Sequence, residues 1–177
     1  MIDANSGLYI SYINRKPVKA KVVWRNIFSR IKDRKAYENV TICDEWNDYQ
    51  VFAKWFYSNY IDGYELDKDL LQPSVGNKIY SSNTCLFVPK TVNLFMANKK
   101  SKSKNTGVYR VGDTNKFRAI HYVDGKNESL GTFETIKEAN IAYTNARFSK
   151  IDDMYKNNNI EYELYLLLIR WQKCISL

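Results

Sequence analysis

Histidine is almost missing from this chain: its 177 residues contain one, His121. Zinc fingers and histidine-rich metal centres need several His and Cys ligands at set spacings. With one His and no Cys-x-x-Cys pair, that class is not expected. The three cysteines, Cys43, Cys85 and Cys174, are odd in number and far apart. They read as reduced thiols of a cytoplasmic protein rather than as a disulfide framework. No apolar run reaches the roughly 20 residues of a membrane-spanning helix, and the opening MIDANSGLYI lacks a secretory-signal pattern. Acids are the minority charge, 19 against 27 Lys and Arg, giving a formal net charge of +8 and a pI near 9.3. Such a surplus makes nucleic acid the leading partner class. An anionic membrane is the rival, but no basic amphipathic helix stands out, and no membrane partner is expected. What the chain does have is apolar and aromatic bulk, 45% and 15% of residues, enough to core one or two small domains.

The clearest pattern runs from Gly107 to Ala146. Gly107-Val108 opens a first short strand, Lys116–Tyr122 is a second and Ser129–Phe133 a third. Asp124-Gly125 separates the last two and signals a hairpin turn, because Gly takes the positive φ that such turns need. Thr135 is followed three residues later by Glu138, a capping-box pattern. From Ile136 to Phe148, small or apolar residues recur at Ala139, Ala142, Tyr143 and Ala146, which is helical spacing. Three antiparallel strands and one amphipathic helix are therefore predicted. Successive strand residues point to opposite faces, so if Phe117 and Ala119 face the helix, Arg118 and Tyr122 face outward. Arg110, Lys116 and Lys126 add positive charge at the strand ends. A solvated sheet with ordinary surface charges would carry the same residues. His121 has no partner His and reads as a packing residue.

Gly107-Val108, Phe117-Arg118-Ala119, the run LGTFET from Leu130 to Thr135, and Glu138-Ala139 with Ala142-Tyr143 resemble the Apetala-type DNA-binding domain of plant ethylene-response factors. That domain also occurs in phage homing endonucleases and integrases. The resemblance implies a sheet laid in the DNA major groove with the helix packed behind it. A strand ribbon fits a major groove; Arg suits bidentate contact with guanine, while Lys mostly meets phosphate. The DNA-contacting set expected on the sheet is Arg110, Lys116, Arg118, Tyr122 and Lys126.

The residues before this stretch read as a second unit. Leu8 to Ile13 form a short strand or an arm. Arg15, Lys16, Lys19 and Lys21 form a basic cluster, equally at home against phosphate or in solvent. Val18 to Lys35 is predicted helical, with Val23, Trp24, Ile27, Phe28 and Ile31 as one apolar stripe. A second helix, capped by Asp44 or Asn47, runs to Asn59 and packs Phe52, Trp55 and Phe56 against the first. Glu65 to Leu71 reads as a strand, Pro73 to Asn83 as a loop, Cys85 to Val88 as a strand, and Pro89 as the first turn of a helix to Ala97. Strand, loop, strand, helix is the order of a ββα unit.

Trp46, Phe52, Trp55, Leu66 to Asp69, Asn77-Lys78, Tyr80-Ser81, Cys85 and Val88-Pro89 with Asn93 resemble the nuclease unit of phage HNH homing endonucleases, which often accompanies an Apetala-type domain. The resemblance implies a general-base His on the first strand, with metal ligands there and on the helix. This chain departs from it. Asp67-Lys68-Asp69 occupies the strand, and Lys68 stands where the His would. A lysine serves as base only if burial or nearby cations lower its pKa by several units, and two flanking aspartates act against that. Two readings stay open. Asp67, Lys68 and Asp69 form an ion-paired strand in a repurposed scaffold with no catalytic residues and no cofactor; this one is favoured. Alternatively, Asp67, Asp69 and Asn93 hold Mg²⁺ and Lys68 acts as base or electrostatic stabiliser.

The segment ANKKSKSKNT, Ala97 to Thr106, has no apolar residue after Ala97 and reads as a flexible linker. Its Lys99, Lys100, Lys102 and Lys104 are placed to meet DNA phosphates. Ile160 to Ile175 is a strongly apolar helix with Leu164, Leu167, Leu168 and Trp171 on one stripe. It must be covered, either by the domains or by a second copy in a homodimer. The expected fold is α+β: a helical N-terminal domain with a degenerate ββα unit (1–97), a basic linker (98–106), a three-stranded antiparallel sheet on one helix (107–155) and a C-terminal packing or dimerisation helix (156–177). The expected function is sequence-specific binding of double-stranded DNA by a phage or phage-satellite protein in a bacterial cytoplasm. It would be a domesticated homing-endonuclease-like chain acting as a transcriptional repressor. An active metal-dependent HNH endonuclease is the alternative, and a structural or interaction protein whose charge serves RNA or a virion is a third.

Overall fold

The computed structural model describes residues 2–3, 6–73, 76–97, 107–123 and 125–176. Packing divides the chain into two units, Met1–Pro89 and Lys90–Leu177.

The first unit is built on helices α1 (Lys19–Asp33) and α2 (Tyr49–Asn59). α1 sends Ala20 and Ile27 into the core, with Val23, Trp24 and Ile31 packed beside them, as its apolar spacing requires. α2 starts where the Asp48 carboxylate accepts the Gln50 N–H at 2.7 Å, one residue past the expected Asn47 cap. Its Phe52, Ala53 and Phe56 are fully buried. Trp46 meets Phe52 edge-on at 4.9 Å between ring centroids, and its carbonyl accepts the Trp24 indole N–H at 2.7 Å. Each buried aromatic contributes about 1.5–3 kcal/mol, so this cluster is the unit's main anchor. The N-terminal arm is tied to α2: the Gln50 amide bonds both the N–H and the carbonyl of Tyr9, and the Tyr49 hydroxyl donates to the Ile10 carbonyl.

Short strands complete the unit. β1 (Tyr12–Ile13) and β2 (Lys16–Pro17) make a hairpin turned by Asn14 and Arg15, both at positive φ. β3 (Val40–Ile42) lies alone in sequence, followed by β4 (Tyr64–Asp67), β5 (Lys78–Tyr80) and β6 (Leu86–Pro89). β3 pairs parallel with β5, and β4 pairs antiparallel with β6. β5 falls inside the segment read as a loop. Three residues carry no period of their own; β5 is defined by β3 and by the Gln72 side chain, which bonds both the N–H and the carbonyl of Ile79. The first strand of the expected ββα unit was predicted to reach Leu71, but β4 stops at Asp67. There the Asp67 Oδ1 accepts the N–H groups of Asp69 and Leu70 at 2.9 and 2.7 Å and turns the chain. Pro89 ends β6 opposite Tyr64 rather than opening a helix. The helix that follows, α3 (Lys90–Ala97), belongs to the second unit.

In the second unit β7 (Val108–Arg110), β8 (Phe117–Val123) and β9 (Lys126–Phe133) form an antiparallel sheet in that order. The β8–β9 connection is two residues long, with Gly125 at φ 84; Asp124 lies outside the described residues. One face of the sheet packs on α4 (Ile136–Lys156). The capping box is present: Thr135 Oγ1 accepts the Glu138 N–H, and the Glu138 carboxylate accepts the Thr135 N–H. α4 runs past the expected Phe148, because Ile151 and Met154 continue its buried side. α5 (Tyr162–Ile175) packs on α4 and buries Leu168, Trp171 and Gln172. Arg147, fully buried, ties three helices together. Its Nε donates to Gln172 Oε1 at 2.7 Å, its Nη2 donates to the Phe95 carbonyl at 3.2 Å, and its guanidinium lies 4.0 Å from the Phe95 ring centroid. The architecture is α+β, with five α-helices among the described residues. None of these is long and apolar enough to cross a membrane.

Candidate nucleic-acid interface

Strand register decides which side chains share a face of the second unit's sheet. Val108, Ala119 and Gly131 align in one row, and Phe117 with Phe133 in the next. Val108 and Ala119 are buried against Ala139 of α4, with Phe117, Leu130, Phe133 and Tyr143 packed around them. His121, two residues along β8, is on the same side and is buried. Period-two alternation then puts Arg118, Ile120 and Tyr122 on the open face, where Arg118 and Tyr122 are exposed. Arg118 is flanked by Tyr109 on β7 and Thr132 on β9, both exposed. Next come Ile120 beside Ser129 and Tyr122 beside Asn127. Between Ala119 and Ile120 the register slips, leaving Leu130 as an extra residue in β9. Such a bulge increases local twist and lets Leu130 reach the core while Ser129 keeps the open face.

The expected contact residues do not all join this face. Arg110 aligns with Phe117, on the helix side by alternation, and bends into its own turn. Its Nε donates to the Thr114 carbonyl at 2.8 Å and its Nη2 to Asn115 Oδ1 at 3.0 Å. Lys116 is exposed and paired with Glu134 at 2.7 Å, which raises its pKa through that hydrogen bond and charge. Lys126 sits at the hairpin end opposite Val123, exposed. Lys99, Lys100, Lys102 and Lys104 lie outside the described residues. Arg118 alone among the expected arginines has no hydrogen bond or ion pair to the described residues, so its five donors are open to a ligand. Tyr109 and Thr132 were not singled out from the sequence. Their signal was present: with Val108 and Phe133 inward, both must point out.

Behind the sheet, a cavity of about 340 Å³ is lined by His121, Glu128, Ser149, Lys150 and Asp153, among others. The His121 Nε2 is buried with no hydrogen-bond partner among the described residues. Burial, then the Arg147 charge, pulls its pKa down; Glu128 opposes and Lys150 adds to the fall.

Asp67, Lys68 and Asp69 come together in the first unit as an internally paired electrostatic cluster. Asp67 is 5% exposed, and its Oδ1 is taken by two backbone N–H groups. Lys68 is 7% exposed, its ammonium donating to Asp69 Oδ1 at 2.9 Å with the Tyr37 and Tyr80 rings nearby. Lys78 reaches the same Asp69 oxygen at 2.7 Å. Burial raises the Asp67 pKa. Burial would raise Asp69 too, but the hydrogen bond from Lys78 and the Lys68 charge outweigh it and hold that carboxyl low. Asn93 lies half-buried on α3 in the other unit. No group of three or more His, Cys, Asp or Glu able to hold a metal occurs among the described residues. No protein-family model, curated protein or solved structure matches the chain.

Proposed function

We propose that this chain is a sequence-specific double-stranded DNA-binding protein of phage or phage-satellite type. In this reading it is a domesticated homing-endonuclease-like chain that acts as a transcriptional repressor by covering a promoter. The observation that carries it is the open sheet face, where Arg118, with no hydrogen bond or ion pair among the described residues, stands between Tyr109 and Thr132, with Tyr122 further along the same strand. A twisted antiparallel sheet of this size can enter a major groove, and a free guanidinium at its centre can read a base edge. The surplus of positive charge supports an anionic partner. The internal pairing of Asp67, Lys68 and Asp69 supports binding without cutting, since the Lys68 ammonium is held by Asp69, and Oδ1 of Asp67 and of Asp69 is already engaged. The endonuclease alternative draws on the antiparallel β4–β6 pair with Asp67 at its end. A homodimer through α5 would use the Tyr162 and Leu166 side chains, which remain exposed.

Selection from random duplexes, followed by incubation of the selected duplex with Mg²⁺ or Mn²⁺, tests the reading. A preferred site left intact is the expected result. Cuts at a fixed position would instead establish the endonuclease, with Asp67, Lys68, Asp69 and Asn93 as its candidates. Weak binding with no preferred site would favour the RNA or virion role. Arg118→Ala should weaken binding to the selected site by about 1–3 kcal/mol and relax its sequence preference. An unchanged affinity and preference would show that Arg118 reads nothing.

A further inference from the structure

The positive charge of the first unit is concentrated in one segment. From Arg15 to Lys35 nine basic residues accompany a single acid, Asp33; the rest of that unit holds three basic and nine acidic residues. Most of the segment is α1, and the charges of its N-terminal half are arranged against the helix's own interest. A helix N-terminus is the positive end of the macrodipole and favours acids. α1 has no acid in its first turn, no side-chain cap, and Lys19 and Lys21 there instead. Lys21 and Arg25 are one turn apart on the same side, a like-charge spacing that destabilises a helix. Burial and the Arg25 charge both pull the Lys21 pKa down. Lys32 continues the same line, about 16 Å from Lys21 at 1.5 Å rise per residue. Lys19, Arg25 and Lys32 are exposed, as are Arg15 and Lys16 before the helix and Arg34 after it. None of these six forms an ion pair among the described residues, where the pairs are those of Lys68, Lys78 and Lys116. Internal compensation of this line is partial. The Lys21 ammonium lies 3.9 Å from the Trp24 ring centroid and 4.5 Å from that of Tyr49, and Lys32 in the last turn suits the negative end of the dipole. Lys19 and Arg25 have no ion pair among the described residues.

We propose that α1 with its flanking basic residues is a second, sequence-independent docking surface for the phosphate backbone of duplex DNA. A polyanion supplies the missing negative charge along the whole line. An anionic membrane would need apolar side chains to insert beside the charges. The exposed residues of α1 are Lys19, Val22, Arg25, Asn26, Ser29, Lys32 and Asp33, and Val22 alone among them is apolar. Exposed Tyr12 and Ile13 occur only in the hairpin before the helix, beside Arg15 and Lys16 and not along the charged line. The surface does not require the sheet of the second unit to read bases.

The test uses the full chain, a mixed-sequence duplex, and the triple variant Lys19→Gln/Arg25→Gln/Lys32→Gln. Three lost phosphate contacts should reduce the slope of log affinity against log salt by about 2–3 and weaken binding at low salt by at least about tenfold. The unfolding midpoint should stay about level, because relief of the Lys21–Arg25 repulsion offsets the loss of Lys32 from the last turn. The charge-keeping variant Lys19→Arg/Arg25→Lys/Lys32→Arg should bind as the wild type does. An unchanged salt slope in the Gln variant overturns the proposal. So does equal loss in the charge-keeping variant, tighter binding to single-stranded RNA than to the duplex, or loss confined to anionic vesicles. Arg118→Ala separates the two surfaces: it should change site preference and leave most of the salt slope. If no preferred site exists, base reading by the sheet fails while the α1 contact stands or falls on its own slope.

Discussion

Gly107→Ala isolates the close approach on which the three-stranded sheet is built. Gly107 has φ +80, and a Cβ there would overlap the Tyr143 ring. Its carbonyl accepts the Ile120 N–H at 2.8 Å, so residue 107 also sets the edge of β8 that carries Arg118. Alanine in the left-handed region costs about 1–2 kcal/mol. Tyr143 cannot simply swing away, because it packs on the Val108–Ala119–Ala139 core and meets His121 edge-on at 5.9 Å. Forcing extra volume into such packing costs about 1–3 kcal/mol. Together the loss is about 2–5 kcal/mol, against a total stability of about 5–15 kcal/mol for an ordinary domain. Urea unfolding read by hydrogen exchange at the amides of Val108 to Val123 would measure it without interference from the first unit. In a Tyr143→Leu background the overlap is gone and only the φ cost remains, so Gly107→Ala should then lose about 1–2 kcal/mol. A loss below about 0.5 kcal/mol in the wild-type background, or the same loss in both, would refute the claim that Tyr143 holds this position to glycine.

Two further outcomes concern buried charge. Asp69→Ala should strand the Lys68 and Lys78 ammonium groups and cost about 2–4 kcal/mol, somewhat less than for a fully buried pair because the Asp69 side chain is about one-third exposed; a neutral effect on the urea midpoint would show that the pairs contribute nothing. Because the Asp69 carboxyl is held low in the fold, its contribution is present above the ordinary carboxylate range and lost as pH falls through it. His121 has the same sign at higher pH. Its folded pKa is depressed, so the unfolded chain binds the proton more readily and stability falls as pH drops below about 6.5. Glu128, Tyr143, Arg147, Lys150 and Asp153 are the titratable or charged groups around it. His121→Leu should flatten the second unit's stability between that pH and the depressed value; a slope that survives the substitution would assign it to another group.

Much of the second unit is legible because its signals are local. A capping box is two side chains and two N–H groups within four residues, so Thr135 and Glu138 announce the start of α4 unaided. The strands announce themselves by alternation and by Gly125. The end of α4 was read too early because Ser149 to Lys156 is rich in polar side chains; Ile151 and Met154 keep it helical through their burial on the other side. In the first unit the aromatic stripes identify α1 and α2, but β5 and the early stop of β4 depend on partners distant in sequence. Lys78–Tyr80 needs β3 and Gln72, and Asp67 ends its strand by capturing two N–H groups of its own chain.

The candidate interface divides along the same line. Alternation tells which face a residue takes, and it puts Arg118 and Tyr122 outward from the sequence alone. It does not tell whether a charge is free. Arg110, Lys116 and Arg118 are equally basic in the sequence, yet Arg110 is spent on Thr114 and Asn115, Lys116 on Glu134, and Arg118 on nothing among the described residues. Lys68 differs from the exposed lysines of α1 in the same way, since Asp69 and two aromatic rings enclose it. A basic composition therefore overstates the number of cations that can meet a polyanion. Among the described residues, Arg118 on the sheet and Lys19, Arg25 and Lys32 on α1 stand outside the ion pairs, and it is such positions, not the total charge, that a binding measurement should probe.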